Sequence, residues 1–182
     1  MSRAFVKEDG PEDTRLPDLP LSPHPNHVTP TGLAQLQARL AAAQATLAIL
    51  RARPDRLDRQ PEAVAARDIR YLEARLRSAI LVQPPAVPQA AAFGVAVTCA
   101  DDKGQIRTWR IVGEDEADAG AGLISAHSPV ARALIGAEVG DQVDWEIGAR
   151  IVSMTVLTLS GQGVDQGVEQ GADEGRAARS AT

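Results

Sequence analysis

Two heptad runs of apolar residues flank a short segment bracketed by prolines, and this pairing narrows the possible folds more than any other feature. In the first run Leu33, Leu36, Leu40, Ala43, Leu47 and Leu50 recur in steps of three and four, the spacing that keeps one stripe of a helix facing a partner. Ala65, Ile69, Leu72, Leu76 and Ala79 repeat it. Pro54 and Pro61 each lack a backbone donor and crowd the preceding turn, so neither helix continues through them. The chain must reverse between the runs, which predicts an antiparallel coiled-coil hairpin over residues 27–82, a finger with a polar tip.

Composition shapes what stands beside the finger. Hydrophobic residues make up 44% of the 182 but aromatics only 3%, so the core rests on Leu, Val, Ile and Ala, and a stacking surface for single-stranded nucleic acid is disfavoured. Cys99 is the lone cysteine and there are three histidines, too few for a disulfide framework or a zinc site of ordinary ligand count. No apolar run approaches the roughly 20 residues that span a bilayer, and Met1-Ser2-Arg3-Ala4-Phe5 leads into charged, Pro-rich sequence rather than a signal peptide's apolar stretch. A cytoplasmic protein without membrane contact is the expectation. Gln37, Arg39, Gln44 and Arg70 occupy the outward helix faces, which predicts a monomer rather than an oligomerisation module.

Charge is distributed unevenly. Arg51 to Arg77 holds eight arginines against five acids, whereas Phe93 to Gly161 holds five basic and ten acidic side chains. The arginines read either as a solvated helix exterior, with pairs such as Glu73 and Arg77 four residues apart, or as a face toward an acidic or nucleic-acid-lined channel. The acidic globular part argues against direct DNA binding. Glu114, Asp115, Glu116 and Asp118 read as a solvated loop after a strand.

Along the chain, residues 1–26 are rich in Pro and acid and read as an extended or disordered arm. Thr29 is placed to cap the first helix, with Pro30 at its first position. Residues 83–92 form a Pro-rich linker. Beyond it the period becomes two. Phe93 to Cys99 and Ile106 to Val112 read as a β-hairpin, Ser128 to Ile135 as a short helix capped by Ser128 and closed by Gly136, and 142–147 and 150–159 as further strands. Residues 93–160 therefore read as a small α+β domain, with Trp109 and Trp145 packed on strands and Cys99 inert. Residues 161–182, with their Gly-Val-Asp-Gln quasi-repeat, read as a disordered acidic tail.

The string Arg110-Ile111-Val112-Gly113-Glu114-Asp115-Glu116-Ala117-Asp118, then Leu123-Ile124-Ser125 and Ser128-Pro129-Val130-Ala131-Arg132-Ala133-Leu134-Ile135-Gly136, closely resembles the C-terminal domain of the Gre transcript-cleavage factors of bacterial RNA polymerase. Val28-Thr29-Pro30-Thr31-Gly32-Leu33 resembles the opening of their coiled coil. The resemblance spans about residues 27–160 and implies an FKBP-like antiparallel sheet domain. It implies docking at the rim of the polymerase secondary channel, through the loop of His127, Ser128, Pro129 and Val130, with the finger pointing down the channel toward the nascent RNA 3′ end. Such a factor is not itself an enzyme, and it meets DNA only by association with the polymerase.

In the family, carboxylates at the fingertip help hold a second Mg²⁺ and orient a water beside the polymerase's own metal, work suited to hard oxygen ligands. The chain lacks the family's Asp-Leu-x-Glu-Asn-Ala-Glu-Tyr string. Its tip offers Asp55, Asp58 and Glu62, which serve equally as turn and helix-end residues. Thus no cofactor is intrinsic, and Mg²⁺ shared with the polymerase is the only ion implied. A first helix from Thr31 to Arg53 rises about 35 Å, roughly 12–15 Å less than the longer fingers of the family at two to three fewer turns. A short coil also resembles the Rnk-like members, which implies the alternative of a non-cleaving competitor for the channel. An FKBP-like sheet also raises prolyl isomerisation, but Phe93, Trp109 and Trp145 are too few to line such a pocket.

Overall fold

A computed structural model describes residues 15–54, 58–148 and 150–161. The fold is mixed α+β: two long helices come first, and a five-stranded sheet carrying one short helix follows.

Thr29 starts the first helix as its residue type requires. Its hydroxyl accepts the Gly32 amide at 2.9 Å, and Pro30 opens α1, Pro30–Arg51, where a missing N–H costs nothing. The second helix, α2, spans Gln60–Arg77 with Pro61 in its first turn and Arg75 and Arg77 in its last, where cations suit the helix dipole. The heptad residues face inward. Leu36 and Leu72 are buried together with Val28, and Leu33, Leu40, Ala43, Leu76 and Ala79 pack around them. Farther along, Leu50 and Ala65 are buried as well. Contacts between the start of α1 and the end of α2 show that the helices run in opposite directions. At their base, β1 (His27–Val28) pairs in parallel with β2 (Ile80–Leu81), a two-residue ladder that sequence periodicity cannot register.

The sheet holds β3 (Ala96–Asp101), β4 (Ile106–Val112), β5 (Leu123–Ser125), β6 (Gln142–Ile147) and β7 (Arg150–Ser160) in the order β5-β4-β3-β7-β6. The expected hairpin is β3 with β4, closed by Asp101, whose carboxylate accepts the Lys103 and Gln105 amides at 3.0 and 2.8 Å. An antiparallel sheet was the expectation; β5 corrects it, because it pairs with β4 in parallel. The crossing is made in ten residues by a 3-10 turn at Ala119–Ala121 that ends on Gly122, whose φ of 73° favours glycine. A register shift on β7 opposite Thr98 and Cys99 re-aims that strand.

Helix α3, Pro129–Leu134, closes one face of the sheet. Ser128 caps it through a hydroxyl that accepts the Ala131 amide, and Val130, Ala131 and Leu134 pack with Val97, Cys99, Ile111, Met154 and Val156. Trp109 and Trp145 lie partly buried at the margin of this core, edge to face with ring centroids 6.1 Å apart. Residues 15–25 carry no helix or strand, as their prolines require, yet several of them touch both parts of the molecule. Residues 1–14 and 162–182, read as disordered, lie outside the described residues.

Candidate functional site

At the distal end of the helices, the side chain of Asp58 turns back on its own chain. Its carboxylate accepts the Gln60 amide at 2.9 Å, satisfying one of the donors that a helix start leaves open. Glu62 follows in the first turn of α2, half-buried and favourably placed for the helix dipole. Asp55 lies outside the described residues. An apolar groove of about 530 Å³ opens here, floored by Ala43, Leu50, Val64 and Ala65 and rimmed by Asp58 and Asp68. Among the described residues no group of three or more His, Cys, Asp and Glu side chains is placed to hold a metal.

The loop before α3 divides its four candidate residues between two roles. Val130 points into the core and Ser128 is spent on the cap, so both anchor the loop. Pro129 is exposed. His127 is half-buried, its ring stacked at 4.0 Å and 19° on the ring of His24 from the N-terminal segment.

Between helices and sheet, the structure builds a site that the sequence reading placed in solvent. Glu114, Asp115 and Glu116 are each engaged. Asp115 accepts the Tyr71 hydroxyl at 2.9 Å and the Arg75 Nε at 2.5 Å, and the two charged side chains are only 9% and 3% exposed. Arg75 also donates to the Asn26 side-chain oxygen at 2.7 Å, while the Asn26 amide donates to the Arg75 carbonyl at 2.8 Å. Glu114 accepts the Ser22 hydroxyl at 3.0 Å and lies 3.7 Å from Arg75. Glu116 accepts the Thr29 hydroxyl at 2.6 Å, so one Thr both caps α1 and ties it to the sheet. Burial raises the Tyr71 phenol above its ordinary pKa, and its bond to the Asp115 carboxylate raises it further. Of the acids in that run, Asp118 is the exposed one; it caps the 3-10 turn through the Gly120 amide.

Asp115, Tyr71, Arg75 and Asn26 thus form a latch between helices and sheet, and backbone fit reinforces it. A side chain on Gly113 would meet the His27 carbonyl oxygen at 2.5 Å, and one on Gly32 would meet Glu116 at the same distance. Among the described residues no buried side-chain polar atom lacks a hydrogen-bond partner. The arginines between positions 51 and 77 that the structure describes thus differ in use: Arg67 and Arg70 pair with Asp68 and Asp18, Arg75 is buried, and Arg51, Arg53, Arg59 and Arg77 remain on the surface.

Comparison with known proteins bears on this arrangement. Residues 86–160 match the family described as the C-terminal domain of transcription elongation factors GreA and GreB. The transcription elongation factor GreA of Ruegeria pomeroyi is 37% identical over 133 residues, 64% of this chain and 85% of that protein. GreA of Psychrobacter arcticus is 34% identical over 149 residues, covering 71% of this chain and 94% of the relative. With GreA of Alkalilimnicola ehrlichii the identity rises to 47% over 78 residues, a match that spans about half, 49%, of that relative and 41% of this chain.

Proposed function

Since the chain belongs to the GreA/GreB family of transcription elongation factors, we propose that it binds bacterial RNA polymerase at the rim of the secondary channel and regulates elongation from there. In this reading the helical pair is the family's coiled-coil finger, and the sheet with α3 is its FKBP-like docking unit. The observation that carries it is the pairing of an exposed Pro129, on a loop anchored by Ser128 and Val130, with a helical pair held in fixed relation to that loop by the Arg75 latch. A rigid finger beside a presented loop suits entry into another molecule's channel.

The tip favours channel occupancy over cleavage. Helix α1 has 22 residues, about 33 Å at 1.5 Å per residue, and one oxygen of the Asp58 carboxylate accepts the Gln60 amide, which turns the group back toward its own chain. Mg²⁺ coordination needs free oxygens placed within a few tenths of an ångström. Stimulated transcript cleavage, with Asp55, Asp58 and Glu62 as Mg²⁺ ligands shared with the polymerase, is the competing use.

The test adds this protein to a backtracked elongation complex holding a limiting amount of an authentic Gre factor. Slower cleavage is expected, because both proteins occupy one channel. Faster cleavage that disappears with Asp58→Ala would establish the competing use. No effect on cleavage and no co-purification with polymerase would remove the docking reading altogether.

A further inference from the structure

The N-terminal segment makes three separate contacts that no role in docking requires. Asp18 accepts Arg70 Nε on α2 at 2.5 Å, and the Arg70 guanidinium also donates to the Leu16 carbonyl at 2.9 Å. Ser22 donates to Glu114 in the latch. His24 lays its ring over His127, next to the exposed Pro129. Nine residues of an extended chain, Leu16 to His24, therefore run from the middle of the second helix, across the junction, to the loop proposed to meet the polymerase. Prolines at 17, 20, 23 and 25 keep that stretch extended and lower the entropy lost when it lies down.

We propose that residues 16–25 form a self-docking strap that covers His127 beside the exposed Pro129, so that full engagement of this loop by polymerase requires the strap to lift. This rests on the docking reading above. The contact chemistry suits a device that opens. The Asp18–Arg70 pair is exposed, and the imidazole stack is a surface contact; such bonds are individually weak and exchange readily with water. Asn26, by contrast, is buried and bonded to Arg75 and Ser78, so it marks the fixed hinge from which the strap swings. Only the open fraction of the chain presents His127, and the apparent affinity is reduced by that fraction; a strap closed about four-fifths of the time weakens binding about fivefold.

The experiment uses the full chain and a labelled elongation complex of the cognate polymerase. His24→Ala combined with Asp18→Lys removes the stack and turns the Arg70 pair into a repulsion, without touching the latch or the docking loop. Backbone ¹H–¹⁵N heteronuclear NOEs of the non-proline residues from 16 to 24 should fall in the free variant as the strap loosens, and its dissociation constant for polymerase should fall about fivefold. Adding Arg70→Asp restores an ion pair of reversed sense and should recover part of both effects. Lower NOEs with unchanged or weaker binding would overturn the strap, as would NOEs that the substitutions leave untouched. Absence of binding by every form, the parent included, would remove the docking reading and the strap with it, whereas an opened strap that leaves a measurable affinity unmoved removes the strap alone.

Discussion

Arg75→Met is the substitution that most directly tests whether the helices and the sheet form one cooperative body. Methionine keeps most of the volume and helix propensity of arginine but removes the donors to Asp115 and Asn26. Asp115, 9% exposed, is then left charged with only the Tyr71 hydroxyl. Breaking a buried pair by removing one partner typically costs about 3–5 kcal/mol, mostly the penalty of the orphaned charge. That is a large fraction of the roughly 5–15 kcal/mol that holds a domain together. At about 2–4 °C per kcal/mol for a chain of this size, the melting midpoint should fall by roughly 6–20 °C. Thermal and urea melts followed by circular dichroism measure it. A cycle with Asp115→Leu separates the pair from its surroundings: the double variant should be less destabilised than the two single effects added, by at least about 1.5 kcal/mol. A loss below about 1 kcal/mol for Arg75→Met, or strictly additive effects, would refute the latch as an energetic element.

Gly113→Ala should cost about 1–3 kcal/mol, because the new methyl meets the His27 carbonyl, which is backbone and has no rotamer to escape to; an unchanged urea midpoint would show that β1 yields freely. Burial pushes the Cys99 thiol up to about 11 from an ordinary 9.0. The unfolded chain ionises first, so stability holds below about pH 9 and falls as pH rises toward 11, by up to about 3 kcal/mol. Tyr71, also raised, adds a loss of the same sign above pH 10. Urea midpoints from pH 7 to 10.5 should therefore decline less steeply in Cys99→Val, and parallel slopes would count against the assignment. Pro129→Glu leaves the core untouched because Pro129 is exposed, so its melting curve should match the parent while co-purification with polymerase is lost; retained co-purification would move the docking surface elsewhere.

What was legible in the sequence was local. Thr29 and Ser128 announced their helices because a hydroxyl followed by proline has few other uses there. The β3–β4 hairpin was equally legible from its period and from the Asp-Asp-Lys-Gly turn. Three residues of β5 were too short to show a period, so its parallel pairing went unforeseen. The latch was invisible for a different reason. Asn26, Arg75 and Asp115 are separated by 49 and 40 positions, and an arginine beside a heptad seam looks the same whether it faces water or a buried carboxylate. One signal was available: three successive acids directly after an apolar strand and a glycine, in a chain whose second helix carried excess arginine. Opposite charges in surplus on two segments are a reason to expect that they meet.

The latch also separates the two uses proposed for the finger. A tilt of about 5° at the base moves a tip 33 Å away by about 3 Å. A finger that merely fills a channel tolerates such an excursion, since bulk and charge suffice to exclude a competitor. A finger that delivers a metal ligand does not, because coordination distances hold only within about 0.2 Å. Arg75→Lys keeps the charge but replaces a planar fork, bonded to Asp115 and Asn26 at once, by a single ammonium that cannot reproduce both bonds in one geometry. It should therefore loosen the junction while leaving each part folded. If the protein acts by occupancy, this variant competes with an authentic Gre factor nearly as well as the parent, within about threefold in the concentration for half-inhibition. If it acts by delivering carboxylates, stimulation collapses by orders of magnitude while binding persists, and the occupancy reading is refuted.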